Sequence, residues 1–490
     1  MSGSLPRRHS TPMRAHRALF PALILLAACS PQGPSSAQAI PDLAQPTRRA
    51  PTDPASMKAS FAPVVKKAAP AVVNVASRRV VRTQARDPFW DFFMGGGGGA
   101  PRDQVQGSLG SGAIVRADGV IITNHHNIEG IVEGRGEITV QLADRREFIA
   151  TVLLDDPRAD LAVLKIDTKG ERLPVMAIDD QEQLEVGDLV LALGNPFGVG
   201  QTVTNGIISA MARTDVGAAD FGSYIQTDAS INPGNSGGPL VDMDGDLIGI
   251  NTFIISRSGS SSGVGFAIPA AVVKQVVNAA LGGGHSVVRP WLGVKGQPVT
   301  AEIARSLGMA APRGVLVAQV YPGSSADKAG LKESDIILSI DGSVVNDEGG
   351  GAFAIGTHKV GDRVPMVIRR GEREQTLTVR AEAAPESPAR DEKTLTGRNP
   401  FDGATVLNLS PAVAQDLGAD PFAGRGVLVS KIGQGFALSA GLRPGDFIRE
   451  VNGRPINTVA ELAALSNSGG RAWTVTIERG GQRITARFNT

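Results

Sequence analysis

Cysteine is nearly missing from this chain: Cys29 is the one example in 490 residues. A single thiol excludes an internal disulfide framework, so packing and hydrogen bonding must hold the fold. Aromatic residues are scarce at 4% while glycine is abundant at 60, which suits β structure with many turns. Charge of one sign is lacking too. Lys and Arg total 49 against 48 Asp and Glu, a balance that leaves no electrostatic footprint for nucleic acid. No Gly-rich loop ending in Lys-Ser/Thr is present, so no nucleotide is implied. The six histidines are scattered, with no acidic partner at ligand spacing beside His125-His126. We therefore expect neither a metal nor a cofactor. At this length, with 42% hydrophobic residues, two to four domains are expected.

The lone cysteine sits in an informative place. Arg7, Arg8, Arg14 and Arg17 precede the apolar run Ala18 to Ala28, which is too short to span a bilayer. This is the layout of a secretory signal. Leu26-Ala27-Ala28-Cys29 resembles the lipobox of bacterial lipoproteins, which makes Cys29 the candidate for lipidation and membrane tethering. Ala37-Gln38-Ala39 offers an alternative cleavage site that gives a soluble product. Either route exports the chain, and residues 1–39 stand outside the fold. Residues 40–57, rich in Pro and Ala, read as a flexible tether.

From Phe61 the pattern is that of short strands. They include Ala71–Val75, Gly112–Val115, Gly119–Thr123, Ile138–Leu142, Leu161–Ile166, Leu189–Leu193 and Leu247–Asn251, punctuated by Asp118-Gly119, Asn195-Pro196 and Asp244-Gly245. Such spacing indicates a sandwich or barrel. The aromatic cluster of Asp87–Met94, followed by five glycines, suggests a contact loop. Ala270–Leu281 reads as an amphipathic helix stopped by three glycines. Beyond Val287 the chain repeats. Gly314-Val315-Leu316-Val317 recurs as Gly426-Val427-Leu428-Val429, and Ala329–Ile337 recurs as Ala440–Ile448. Collinear matches of this kind indicate two copies of one module.

One stretch carries chemistry. Asn235-Ser236-Gly237-Gly238-Pro239 follows Asn232-Pro233-Gly234 and sets a serine in a glycine-rich turn. A serine hydroxyl is a poor nucleophile without a base, an acid behind that base, and donors for a developing oxyanion. His126 supplies the candidate base, Asp160 the acid, and the Gly234 and Ser236 amides the candidate oxyanion hole. The order His, Asp, Ser is that of chymotrypsin-type triads. Adjacent residues on an extended segment point to opposite sides, so only one of His125 and His126 can face Ser236. Asp155 and Asp156 compete with Asp160, but they precede Pro157 in an expected turn.

These motifs resemble the HtrA/Do (DegP-like) serine endoproteases. The matching stretches are Gly110-Ser111-Gly112, Thr123-Asn124-His125-His126, Asp156–Ala162, Gly194–Gly198, Gln226–Ala229, Gly234–Pro239 and Gly265–Pro269. His125 and Asn127 depart from the family, which usually has asparagine and an aliphatic residue there. The resemblance implies a mainly β fold: a chymotrypsin-like double β-barrel protease domain at 58–284, a PDZ domain at 288–384, a linker at 385–398 and a second PDZ domain at 399–490. PDZ modules bind peptide termini by strand addition. Trp291-Leu292-Gly293-Val294 matches the carboxylate loop in the first copy, and Gly403-Ala404-Thr405-Val406 is its expected counterpart. Ser334 stands where the second copy has Gly445, so strain is expected at that turn.

The pocket for the residue before the cut is placed on Thr227, Asp228, Ala229, Ser230 and Ile231, with Asn251, Thr252 and Phe253 opposite. Asp228 is the one charged residue among them, which points to small or aliphatic specificity. The family reading implies a periplasmic, ATP-independent protease of unfolded or misfolded polypeptides, assembled as a homotrimer or a multiple of trimers. The alternative is a chaperone or PDZ scaffold in which proteolysis is dispensable.

Overall fold

The computed structural model describes residues 60–82, 103–129, 131, 136–180, 184–195, 200–214, 223–232, 234–254, 263–284 and 286–489. Cys29, the tether and the aromatic loop Asp87–Met94 lie outside these residues.

Twelve strands build two closed six-stranded barrels. The first closes in the order β1-β2-β3-β6-β5-β4, from β1 (Val72–Arg82), β2 (Asp103–Arg116), β3 (Val120–Thr123), β4 (Gly136–Gln141), β5 (Glu147–Asp156) and β6 (Leu161–Ile166). The second closes in the order β10-β11-β12-β9-β8-β7, from β7 (Leu189–Gly194), β8 (Thr202–Arg213), β9 (Tyr224–Thr227), β10 (Pro239–Val241), β11 (Leu247–Ile254) and β12 (Gly265–Pro269). Closure leaves no open sheet edge. The β-branched and leucine-rich strands β3 and β6 place Ile121, Ile122, Leu161, Val163 and Leu164 in a fully buried core. The double barrel is the expected fold class.

Two strands depart from the sequence pattern for visible reasons. β8, which the strand pattern above does not include, runs straight through Asn205-Gly206. Here a β-carbon on Gly206 would collide with the Ala229 backbone, so the glycine serves close packing of chains rather than reversal. β5 continues to Asp156, so Asp155 and Asp156 belong to a strand end, and the turn begins only at Pro157.

The helix Ala270–Leu281 forms with the expected bounds, and its buried face includes Val272, Val273, Val276 and Val277. Two further sheets follow. One contains β13 (Val294–Pro298), β14 (Val315–Val320), β15 (Ile336–Ile340), β16 (Ser343–Val344), β17 (Arg363–Arg370) and β18 (Arg373–Arg380). The other contains β19 (Lys393–Thr394), β20 (Ala404–Asn408), β21 (Val427–Ile432), β22 (Phe447–Val451), β23 (Arg454–Pro455), β24 (Ala472–Arg479) and β25 (Gln482–Asn489). The repeat extends to side chains. Arg370 Nε donates to Asp335 Oδ1 at 2.7 Å, and Arg479 Nε repeats this with Asp446 Oδ1 at 2.5 Å. Ser334 takes φ 70° and Gly445 φ 90°, so the serine adopts the left-handed turn that its glycine counterpart adopts freely.

The first of these sheet domains is bolted to the barrels. Arg289 and Asp156 form a buried ion pair, with Nη1 to Oδ1 at 3.3 Å and a second bond from Nη2 to Oδ2. Removing one partner of such a pair typically costs about 3–5 kcal/mol, because the other charge is left buried. Gln275 Nε2 also donates to the Gly356 carbonyl at 2.8 Å, tying the helix Glu348–Gly356 to the helix Ala270–Leu281.

Candidate active site

β3 ends at Thr123, and the chain then makes a single 3-10 turn, His125–Asn127. This segment is helical, not extended as the sequence reading assumed. The two imidazoles still diverge. His126 Nε2 lies 2.9 Å from Ser236 Oγ, and His126 Nδ1 lies 2.9 Å from Asp160 Oδ2. His125 turns to the end of β5, with Nδ1 2.7 Å from Asp155 Oδ1. The three carboxylates that compete in sequence are thus divided: Asp155 takes His125, Asp156 takes Arg289, and Asp160 takes His126.

Asp160 follows the 3-10 turn Pro157–Ala159 in a left-handed conformation, φ 53°. Its carboxylate accepts the His126 backbone N–H at 3.1 Å and the Thr252 hydroxyl at 2.6 Å. Asn124 Nδ2 donates to its carbonyl at 2.9 Å. Burial opposes ionisation of Asp160. The His126 charge and the hydrogen bonds from His126 and Thr252 outweigh that, holding the carboxyl below its ordinary value. An ionised Asp160 only accepts, so His126 carries its proton on Nδ1 and presents the Nε2 lone pair to Ser236.

For His125, burial pulls the pKa down, but the Asp155 hydrogen bond and the charges of Asp155, Asp160 and Glu129 raise it above the ordinary value. The stabilisation from this pair is complete below the unfolded histidine value. It is lost as pH rises through the folded one.

Ser236 Oγ has three acceptors around it: His126 Nε2, the Thr252 carbonyl at 2.7 Å and Asn124 Oδ1 at 3.1 Å. Its own carbonyl receives the Ser111 N–H at 2.8 Å and Asn127 Nδ2 at 3.2 Å. Asn127 Nδ2 also lies 3.1 Å from Thr123 Oγ1, and the residue is only 2% exposed. The polar residue that looked ill-suited to packing therefore ties the histidine turn to the serine turn. Gly237 makes that approach feasible. It has φ +83°, and a β-carbon there would strike the Ser111 carbonyl and the Thr123 hydroxyl.

Ser111 Oγ donates to the Gly234 carbonyl, which pins that peptide. Gly234 takes φ 108°, and among the described residues neither its N–H nor that of Ser236 is engaged by a protein acceptor. Two unengaged amides beside a serine Oγ can receive a developing oxyanion.

Residues 110–250 match the trypsin-like peptidase domain, while 290–381 and 402–477 each match the PDZ domain. The chain is 34% identical over 452 residues to the periplasmic serine endoprotease DegP of Escherichia coli K12, covering 87% of this chain and 91% of that one. It is 38% identical over 424 residues to a probable periplasmic DegP-like serine endoprotease of Marinomonas, covering 83% and 88%. The solved HtrA-type protease AlgW with tripeptide is 40% identical, with TM-score 0.50, covering 68% of this chain and 99% of that one.

The chain belongs to the HtrA/DegP family of serine endoproteases. It is a serine endopeptidase with a trypsin-like double barrel and two PDZ domains.

The structure divides the residues expected to line the HtrA specificity pocket. Thr227 Oγ1 donates to the Ile207 carbonyl at 2.8 Å, and Asp228 Oδ1 accepts the Ile207 N–H at 2.7 Å. Ala229 and Ile231 are buried, and the Ser230 carbonyl accepts from Thr204 and Asn235. Asn251 is buried and donates to the Pro239 carbonyl, while Phe253 stacks on Phe266 at 4.9 Å. Thr252, read as a pocket residue, spends its hydroxyl on Asp160. No spacing rule marks Thr252 or Asn124 for this work, because their partners lie far away in sequence.

In the first PDZ domain, Trp291–Val294 and the helix Glu348–Gly356 border a cavity of about 370 Å³, which residues of the second PDZ domain also line. The Leu292 and Gly293 amides are engaged by no protein acceptor among the described residues. In the second domain, Gly403 stands at the position of Gly293. Gly433 N–H bonds the Gly403 carbonyl at 2.7 Å just as Tyr321 N–H bonds that of Gly293 at 2.8 Å. The counterpart of Trp291–Val294 is therefore Phe401–Ala404, two residues earlier than the expected Gly403–Val406.

Proposed function

We propose that Ser236, His126 and Asp160 are the nucleophile, base and orienting acid of a periplasmic protease acting on unfolded or misfolded polypeptides. The observation that carries this reading is the single imidazole bridging Ser236 Oγ and Asp160. Ser236 Oγ attacks the scissile carbonyl carbon as its proton passes to His126 Nε2. The carbonyl oxygen becomes an oxyanion received by the Gly234 and Ser236 amides. The C–N bond then breaks, and His126 protonates the departing amine. Water then attacks the acyl carbon as His126 takes its proton, and His126 gives that proton to Ser236 Oγ as the ester bond breaks. Asp160 keeps its charge throughout and stabilises the imidazolium.

The pocket before the cut is ascribed to Thr227–Ile231 and Asn251–Phe253. Asp228 is the one charged residue among them, and its Oδ1 is held by the Ile207 N–H. Cleavage sites mapped on casein by mass spectrometry should follow Val, Ala or Ile. Mainly Arg or Lys before the cut would overturn the pocket assignment, and no new termini would overturn the protease reading.

The PDZ domains are ascribed the capture of substrate C-termini or hydrophobic segments, with Trp291–Val294 as the carboxylate loop of the first. Assembly as a homotrimer or a multiple of it follows the family, and a single-chain mass in solution would remove it. Cys29 is the proposed lipid anchor. Palmitate should label the wild type and not Cys29→Ala; an unlabelled wild type would refute the anchor.

A further inference from the structure

The two PDZ edges are in different states. β13 is the outermost strand of its sheet. β20 is not, because the chain's own residues 389–395 run along it. Asn408 donates to the Ala389 carbonyl through Nδ2 and to the Arg390 carbonyl through its backbone N–H, both at 2.8 Å. Lys393 pairs with Val406 and Thr394 with Thr405, antiparallel. Leu395 N–H donates to the Ala404 carbonyl and Gly403 N–H donates to the Leu395 carbonyl, each at 2.9 Å.

The direction of this segment matters. A PDZ ligand adds antiparallel to the edge strand and ends at the loop before it, where backbone amides take its terminal carboxylate. The segment runs the same way and reaches the same loop. Leu395 stands where a final residue would: its carbonyl is on the Gly403 amide, the counterpart of Gly293. Its side chain is 3% exposed and belongs to the buried cluster that holds Ala404, Val406, Val459 and Leu462. Asp391, Glu392, Lys393 and Thr394 are exposed. Exchange with an incoming strand would therefore trade one set of backbone bonds and one aliphatic side chain for another.

We propose that residues 389–395 are an internal ligand of the second PDZ domain, and that its groove accepts peptides ending in a leucine-like residue with a free carboxylate once this segment leaves. This rests on the reading of the PDZ domains as peptide binders.

The probe is the peptide Ala-Arg-Asp-Glu-Lys-Thr-Leu with a free carboxylate and an N-terminal photocrosslinker. It is applied to the full chain carrying Ser236→Ala, and crosslinks are mapped by mass spectrometry. Thr394→Cys with Thr405→Cys supplies a lock, since the two hydroxyls lie 2.9 Å apart across the strands. Oxidation should remove crosslinks from the second domain, and reduction should restore them. Leu395→Asp should strengthen probe binding there at least tenfold, by removing a competitor at about millimolar effective concentration. The lock keeps the test valid if Leu395→Asp unfolds the domain. Equal labelling of the second domain in oxidised and reduced forms overturns the proposal. Labelling of the first domain alone, in every form, overturns it too while sparing the general reading. Labelling of neither domain overturns both.

Discussion

Ser236→Ala will abolish casein hydrolysis, lowering kcat by about a million-fold, the scale seen when a serine protease loses its nucleophile. The reason is local. Ser236 Oγ is the atom His126 Nε2 addresses, at 2.9 Å, and the next hydroxyl in the site, that of Thr252, is committed to Asp160. The fold should survive, because the Ser236 carbonyl and not its hydroxyl carries the bonds to Ser111 and Asn127. Retention of casein hydrolysis within about a hundred-fold of wild type would exclude Ser236 as nucleophile. The same variant separates the two functional readings. If it still suppresses aggregation of an unfolded client, a chaperone role stands beside proteolysis.

Asp160→Asn is expected to lower kcat by about ten-thousand-fold while leaving KM within a few-fold. Asp160 fixes the tautomer that leaves His126 Nε2 able to accept, and an amide at that place can donate to Nδ1 instead. Thr252 sharpens the effect. Its hydroxyl donates to Oδ2 at 2.6 Å, so an asparagine will turn its oxygen toward Thr252 and its NH2 toward the imidazole, or the reverse at the cost of the Thr252 bond. Kinetics on a peptide substrate, with thermal melting as a control for folding, decide the point. A loss of less than tenfold with an intact fold would show that Asp160 does not orient the base.

Much of the candidate site is legible in the sequence. A glycine-flanked serine, a histidine after a strand and an aspartate before one each carry little meaning alone. Their order and their places at strand ends made the set specific. The helix Ala270–Leu281 and the paired repeats were legible because periodicity and collinearity are local properties. Other elements were not. β8 is absent from the strand pattern read in the sequence, and its Gly206 answers to the distant Ala229 backbone. Asn127 looked out of place because its partners, Thr123 and the Ser236 carbonyl, meet it only after both barrels close. The polar stretch 385–398 read as a linker, yet it contributes β19 and the buried Leu395 to the second PDZ sheet.

By itself the sequence determined the chemistry on offer, the repeated module and the absence of an internal disulfide, because residue type, order and spacing carry these directly; the double-barrel and PDZ plan followed from the family resemblance of its motifs. Tertiary structure alone decided which partner each competing group received. His125 and His126 are neighbours in the chain, and so are Asp155 and Asp156, but a strand end and two 3-10 turns send them to different partners. Hydrogen bonds reach about 3 Å and depend on direction. Which carboxylate serves the base, which amides stay open and which PDZ edge is filled are therefore settled only when distant segments are packed to that distance.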